Sequence, residues 1–294
     1  MLLVALLYAI LASTFILAKK ALMFGKPFFL IGFRMTIAGI LLFSYASLFR
    51  KFRIKNEDWW LFFKVALFHI YFSFILEFWA LQYLSALKTT LIYSSTPFIA
   101  ALLSYFLLSE RLSASKIFGI GIGMCGMIPV FMVSGGNIQE MFSVQFADLV
   151  LFGAVVSGAY AWFLVKKLLV KGYSLTGING IAMLIGGCLS LATSAFLETT
   201  PVVYDWSQFV WWVLALIVVS NLVVYNFYGW LLHKYSITFL TFAGFLCPAF
   251  AAIYDWLLGG GSMQHQYLMS LTLVTLGLYV FYRQELFMQK IDKL

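Results

Sequence analysis

Charge is what this chain has least of. Asp, Glu, Lys and Arg make up 10% of its 294 residues, where a soluble domain carries roughly 25%. With 63% of the residues hydrophobic, no soluble fold has enough interior to hide them. Cysteine is nearly absent too. Cys125, Cys188 and Cys247 form no CxxC and have no nearby histidine, which excludes a disulfide framework or thiolate metal site and leaves three small packing residues. The chain has no HExxH, GxSxG or Walker pattern, and no pair of His, Cys or carboxylates at ligand spacing. Enzyme chemistry, a metal and a cofactor are left without an anchor. Polar–apolar alternation is also missing, and continuous apolar runs exclude a β-barrel.

What is there is a series of apolar runs long enough to cross a bilayer, about 20 residues each. Ten are read, at 2–22, 28–49, 59–82, 87–108, 114–133, 147–166, 175–196, 208–232, 237–257 and 266–284. The expected fold is an all-α integral membrane protein with ten transmembrane helices. The first run, MLLVALLYAILASTFILAKK, lacks a basic start and a small-residue cleavage site, so it is read as a span rather than a removable signal. The net charge of +8 would suggest nucleic acid for a soluble protein; here topology accounts for it. With the N-terminus inside, Arg50, Lys51, Arg53, Lys55, Arg111, Lys116, Lys166, Lys167, Lys171, Lys234, Arg283, Lys290 and Lys293 lie on the inner side. Lys19, Lys20, Lys26 and Lys88 lie outside, and Arg34 and Lys64 within spans. That bias predicts a multi-pass protein of a bacterial-type inner (plasma) membrane with both termini cytoplasmic. Its partners are then lipid, a small-molecule solute and a proton or counter-solute, not nucleic acid.

Two internal alignments organise the chain. At an offset of 151, Pro97 maps to Pro248, Ala100-Ala101 to Ala251-Ala252, Leu107 to Leu258 and Gly126 to Gly277. At an offset of 147, Ala12 maps to Ala159, Leu17 to Leu164, Lys19-Lys20 to Lys166-Lys167, Leu22 to Leu169, Gly25 to Gly172 and Gly39 to Gly186. Five spans per half is an odd number, so the second half enters the membrane upside down. The expected domains are two inverted five-helix repeats, 1–136 and 137–294, with a site near the midplane. Lys19 and Lys20 either snorkel at the outer interface or face an anionic group of solute or lipid.

The candidate site residues are the polar and aromatic groups stranded at depth. Arg34 lies about two turns into the second span, where a charge faces protein or water; it is either functional or a structural clamp between helices. The third span holds His69, Phe74 and Glu77. Glu77 binds a cationic group or takes a proton, or else it pairs with Arg34 or Lys88. Tyr93, Ser94, Ser95 and Thr96 precede Pro97, which frees a carbonyl one turn back; the hydroxyls serve a solute or bond back to their own helix. Gly119 and Gly123 form a GxxxG read as a packing face. Tyr160 and Trp162 supply rings in the sixth span. In the eighth, Asn221, Tyr225 and Tyr228 share a face with Asn226 beside it, as solute contacts or as glue between helices. Trp59-Trp60 and Trp211-Trp212 are read as interfacial belt residues.

Ten spans, the inverted duplication, Arg34 in GKPFFLIGFR, Pro97 in the fourth span and the run SERLSASKIFGIGIGMCG resemble the EamA type of the drug/metabolite transporter superfamily. The similarity covers essentially the whole chain. The second copy departs from it, because Glu110 maps to Gly261. The resemblance implies a basket of helices in which spans one, three, four, six, eight and nine line a cavity, with spans five and ten peripheral. It implies export or exchange of amino acids or other metabolites. The expected activity is secondary transport, by alternating access, of a small polar solute such as an amino acid or a nucleoside-bearing metabolite like S-adenosylmethionine. Its solute-binding set is Phe74, Glu77, Tyr93, Ser94, Ser95, Pro97, Tyr160, Trp162, Asn221, Tyr225, Asn226 and Tyr228, with Glu77, Arg34 and Lys19 as coupling candidates. A non-transporting membrane scaffold is the alternative.

Overall fold

The computed structural model describes residues 2–50, 52–84, 89, 92–93, 95–109, 114–133, 145–259 and 265–291. Helices form because the runs are apolar on every side, and a helix meets all its backbone hydrogen bonds within itself. In chain order they are α1 (Leu2–Leu22), α2 (Pro27–Arg50), α3 (Trp59–Val65), α4 (Ser73–Ala80), α5 (Thr96–Leu108), α6 (Ala114–Val133), α7 (Phe146–Val170), α8 (Leu175–Leu197), α9 (Trp206–Leu216), α10 (Tyr225–Leu231), α11 (Ile237–Ala243), α12 (Leu246–Gly259) and α13 (His265–Ile291). Among the described residues six spans are long and apolar enough to cross a membrane: Leu2–Leu22, Pro27–Phe49, Asn56–Ala80, Phe146–Val170, Leu175–Leu197 and Trp206–Leu231. Thr96–Leu108, Ala114–Gly126 and Leu268–Phe281 are shorter apolar helices.

Three spans differ from the plain helices expected. Asn56–Ala80 and Trp206–Leu231 each carry a π-helical segment, Ala66–Phe72 and Ile217–Val224. The ninth run is two helices, α11 and α12, separated by a turn at Gly244-Phe245 just before Pro248. The fourth run is described as a helix from Thr96, with Pro97 in its first turn. Proline fits there because its missing N–H has no partner to lose. The Glu110-Arg111 stop, Ser94 and Lys88 lie outside the described residues.

The chain folds into two compact units, each drawn from several segments. The first comprises Met1–Ala12, Ser85–Gln145 and Tyr235–Leu294. Its hydroxyl ties are Tyr8 to the Leu240 carbonyl, Tyr254 to the Ala9 carbonyl at 3.0 Å, and Ser104 with Thr238 at 3.1 Å. The Gly119/Gly123 face packs on α13. A Cβ at Gly277 would stand 2.6 Å from the Gly119 carbonyl oxygen and 2.9 Å from the Gly123 nitrogen. The packing role of this GxxxG is thus visible in the backbone contact.

The second unit comprises Ser13–Leu84 and Phe146–Lys234, and α2 against α8 is its centre. A Cβ at Gly32 would stand 2.7 Å from the Leu191 nitrogen, and one at Gly180 would stand 2.6 Å from the Phe43 nitrogen. A Cβ at Gly39 would come within 2.6 Å of the Leu184 nitrogen, and one at Gly187 within 2.7 Å of the Thr36 nitrogen. Adding 148 to one partner and subtracting it from the other turns each pair into its counterpart. Glu198, just past α8, closes one end of this pair. Its carboxylate accepts from the Phe28 and Phe29 amides at 2.8 Å each and from Ser194 at 2.6 Å. A carboxylate here meets the free N–H groups at the start of α2. Outward faces stay apolar: Phe49, Trp60, Phe146, Phe196 and Trp211 are exposed, which suits lipid on that side. Of the tryptophans near span ends, Trp59, Trp60 and Trp211 are exposed, as a belt position requires, and Trp212 is half-buried.

Candidate functional site

The site is built on the two π segments. A π turn reaches five residues back instead of four, so it shifts the register and strains the local backbone pairing; such turns are frequent at functional positions. In Ala66–Phe72 the Phe68 carbonyl accepts from the Ser73 hydroxyl at 2.6 Å and from Ser157 of α7 at 2.8 Å. After Ile217–Val224 the Asn226 amide nitrogen donates to the Leu222 carbonyl at 2.8 Å. Side chains therefore serve carbonyls at both irregular turns.

The register shift directs a set of groups toward one another. His69, buried in the first π segment, has its ring edge-on to Trp162 at 4.4 Å and to Tyr225 at 5.1 Å. Trp162 stacks on Tyr228 at 3.9 Å with rings 21° apart. Arg34, 4% exposed, holds its guanidinium 5.0 Å above the centre of the Phe74 ring. Such a desolvated cation–π contact contributes roughly 2 kcal/mol. Glu77 and Tyr225 both lie within Coulombic reach of Arg34. Arg34, Phe74, Glu77, Tyr225, Trp162 and Tyr228 thus form one neighbourhood of charge and rings within the second unit.

Not every expected residue joins it. Asn221 is fully buried with its amide nitrogen 2.9 Å from the Met35 sulfur and 3.7 Å from that of Met183, so it links α2 and α8. Asn226 accepts from Asn179 at 3.4 Å. Tyr160 lies edge-on to Phe68 at 5.1 Å. Lys19 is exposed in the last turn of α1. Tyr93, Ser95 and Pro97 belong to the first unit. There Ser95 donates to the Ile92 carbonyl at 2.6 Å and Thr96 to the Tyr93 carbonyl at 2.5 Å, so both hydroxyl protons serve backbone carbonyls just before Pro97.

Two polar residues with buried side-chain atoms, Thr36 and Asn179, escaped sequence reasoning. Thr36 Oγ1, His69 Nε2, Asn179 Oδ1, Asn221 Oδ1 and Arg34 Nε are buried without a hydrogen-bond partner. Each such group costs about 1–3 kcal/mol; these five belong to the second unit, while Thr89 Oγ1 and Ser270 Oγ are in the same condition in the first. A polar occupant, solute or water, would relieve that cost. A separate cavity of about 250 Å³ is walled by Phe28, Ile75, Leu76, Trp79, Phe146, Val150 and Leu197 and is apolar throughout. It takes no part in this chemistry. Among the described residues no group of three or more His, Cys, Asp or Glu could hold a metal.

Beyond α7, Lys171 meets the Asp58 carboxylate, and the Tyr173 hydroxyl donates to the same carboxylate at 2.7 Å. The Asp58 hydrogen bond holds the Lys171 ammonium above the ordinary lysine range. Partial burial, then Asp58, pushes the Tyr173 hydroxyl up.

Comparison with known proteins agrees with this architecture. The sequence profile of the EamA-like transporter family matches residues 1–132 and 145–283. The S-adenosylmethionine/S-adenosylhomocysteine transporter of Chlamydia muridarum is 34% identical over 286 residues, spanning 93% of this chain and 88% of its own. That of Chlamydia trachomatis serovar L2 is 33% identical over 282 residues, spanning 93% and 86%. A protein of known crystal structure superposes on 95% of this chain and 96% of its own with a TM-score of 0.76 at 19% identity, a likeness of fold. Together these identify a multi-pass membrane transporter of a small-molecule solute, not an enzyme, and they do not favour a scaffold. The chain belongs to the EamA-like transporter family, within the drug/metabolite transporter superfamily.

Proposed function

We propose that this transporter carries a nucleoside-bearing amino acid of the S-adenosylmethionine type across a bacterial-type inner membrane by alternating access. The observation that carries this reading is the buried Arg34, with Nε free, over Phe74 and beside Glu77 and the Trp162–Tyr228 stack. Arg34 takes the solute carboxylate, since a guanidinium suits planar, two-point recognition. Glu77 takes the ammonium or sulfonium charge, or a proton when the site is empty. Trp162, Tyr225 and Tyr228 offer π-faces to the base. The names of the chlamydial relatives support the same solute chemistry. A free amino acid uses the same charged pair and leaves the rings idle.

The architecture in this proposal is ten spans in two inverted five-helix repeats, 1–136 and 137–294, with both termini cytoplasmic. Support comes from the family profile matching each half once and from the paired glycine contacts of α2 and α8. The lysine and arginine bias supports the orientation. Tyr93, Ser95 and Pro97 are proposed as solute contacts of the first unit, Tyr160 as a flanking ring, and Asn221 and Asn226 as supports for the π segment. Coupling is assigned to a proton on Glu77 or to a counter-solute, with Lys19 drawing anionic groups at the surface.

The test is uptake of labelled S-adenosylmethionine into proteoliposomes, with S-adenosylhomocysteine inside. Glu77→Gln is expected to lose most of the flux. Full transport by Glu77→Gln at every pH removes Glu77 from both binding and coupling. Absence of wild-type flux with any amino acid or nucleoside-bearing solute defeats the transport assignment itself.

A further inference from the structure

We infer that His69 reads the polar edge of the solute's heteroaromatic base. The inference rests on the proposed transport of a nucleoside-bearing solute and adds a specificity-determining residue to it. His69 lies in the π segment Ala66–Phe72, is 5% exposed, and has Nε2 buried without a hydrogen-bond partner. Its ring is fixed by edge-to-face contacts with Trp162 and Tyr225. A histidine needed only to fill space could be a phenylalanine, as so many neighbours are, without leaving a nitrogen unpaired at a cost.

The position explains the choice. Trp162 is half-buried and carries Tyr228 on one face, so a flat ring that joins this stack lies beside His69. Aromatic faces accept any base, since stacking does not read the polar edge. An imidazole nitrogen does read it, as donor or acceptor, and a site built around a hydrogen bond rejects a solute that lacks the partner. Arg34 and Glu77, which handle the amino-acid charges, hold no information about the base. His69 supplies it.

The experiment compares two competitors of labelled S-adenosylmethionine uptake in proteoliposomes. Unlabelled S-adenosylmethionine has the base; S-methylmethionine has the same amino acid and sulfonium charge without it. The ratio of their inhibition constants does not depend on how much protein is active. Wild type is expected to prefer the adenosyl compound, and His69→Phe to shrink that preference about tenfold, the worth of one buried hydrogen bond. His69→Gln, which keeps a donor and an acceptor, is expected to restore part of it. An unchanged ratio in both variants, with wild-type uptake intact, overturns the role of His69 and leaves the transport reading standing. If wild type takes up no labelled S-adenosylmethionine, the proposed solute class falls and this inference with it.

Discussion

Asn56–Ala80 and Trp206–Leu231 break their α-helical ladders at corresponding places, Ala66–Phe72 and Ile217–Val224. The 151-residue spacing that carries Pro97 to Pro248 also carries Phe74 to Tyr225 and Glu77 to Tyr228. The backbone device is the same and the chemistry is not. One span presents a histidine, a ring under a cation, and an acid. The other presents two tyrosines against Trp162, with Asn221 turned toward the methionines of α2 and α8. On the proposed inverted repeat, the two spans share a backbone device and differ in side chains, and the proposed solute, with a charged end and a flat end, calls for that inequality.

The largest effect is expected at the charged end. Arg34→Leu should lower uptake roughly a hundredfold, the size of a desolvated charge contact. Thermal stability should fall as well, because removing one partner leaves the Glu77 carboxylate without its counter-charge, so uptake is compared per folded protein. If Arg34 instead only neutralises Glu77, Arg34→Leu combined with Glu77→Leu will transport better than either single variant. The flat end comes next. Trp162→Leu should raise KM for an adenosyl solute about ten- to thirtyfold, as loss of a base–aromatic stack costs about 1–3 kcal/mol. Transport of a base-free amino acid by the same variant should be unaffected.

These sites were not equally readable in the sequence. Glu77 and Arg34 stand out because charge at depth is rare, and the rings stand out by type. The π segments leave no trace: LFHIY and VVSNL scan as ordinary apolar helix. Hence the sequence shows His69 as a residue but not as a neighbour of Trp162, and the helical spacing that puts Asn221 on the face of Tyr225 is one the π turn does not keep. The serines that satisfy the Phe68 carbonyl are 84 residues apart, at Ser73 and Ser157, so no local pattern marks them. Their energetic weight can be measured. Ser73→Ala or Ser157→Ala alone should cost about 0.5–1.5 kcal/mol, since the other hydroxyl remains. The double variant should lose more than the sum, read as a drop in the melting temperature of the purified protein. An additive result would mean that the carbonyl at the π turn finds another donor.

The smallest effect separates the two spans at their starts. Each is preceded or opened by an aspartate, and the earlier offset of 147 carries Asp58 to Asp205. Asp205 caps its own helix by accepting from the Gln208 amide at 3.1 Å. Asp58 instead reaches Lys171 and Tyr173 across the unit. The Lys171 pKa is raised above its ordinary value of 10.5 in the folded protein. A raised amine pKa means that the folded state holds its proton more tightly, so this contribution is complete below pH 10.5 and fades as the pH rises through the folded value. Tyr173 acts in the same direction, because its raised pKa favours the neutral hydroxyl that donates to Asp58. Asp58→Asn should therefore flatten the fall of melting temperature above about pH 10 relative to wild type. Asp205→Ala should lower it by a constant amount across the same range, since a lost helix cap of about 1 kcal/mol involves no group that titrates there. Parallel alkaline profiles for wild type and Asp58→Asn would show that the Lys171 contact is too well solvated to matter, as many exposed ion pairs are.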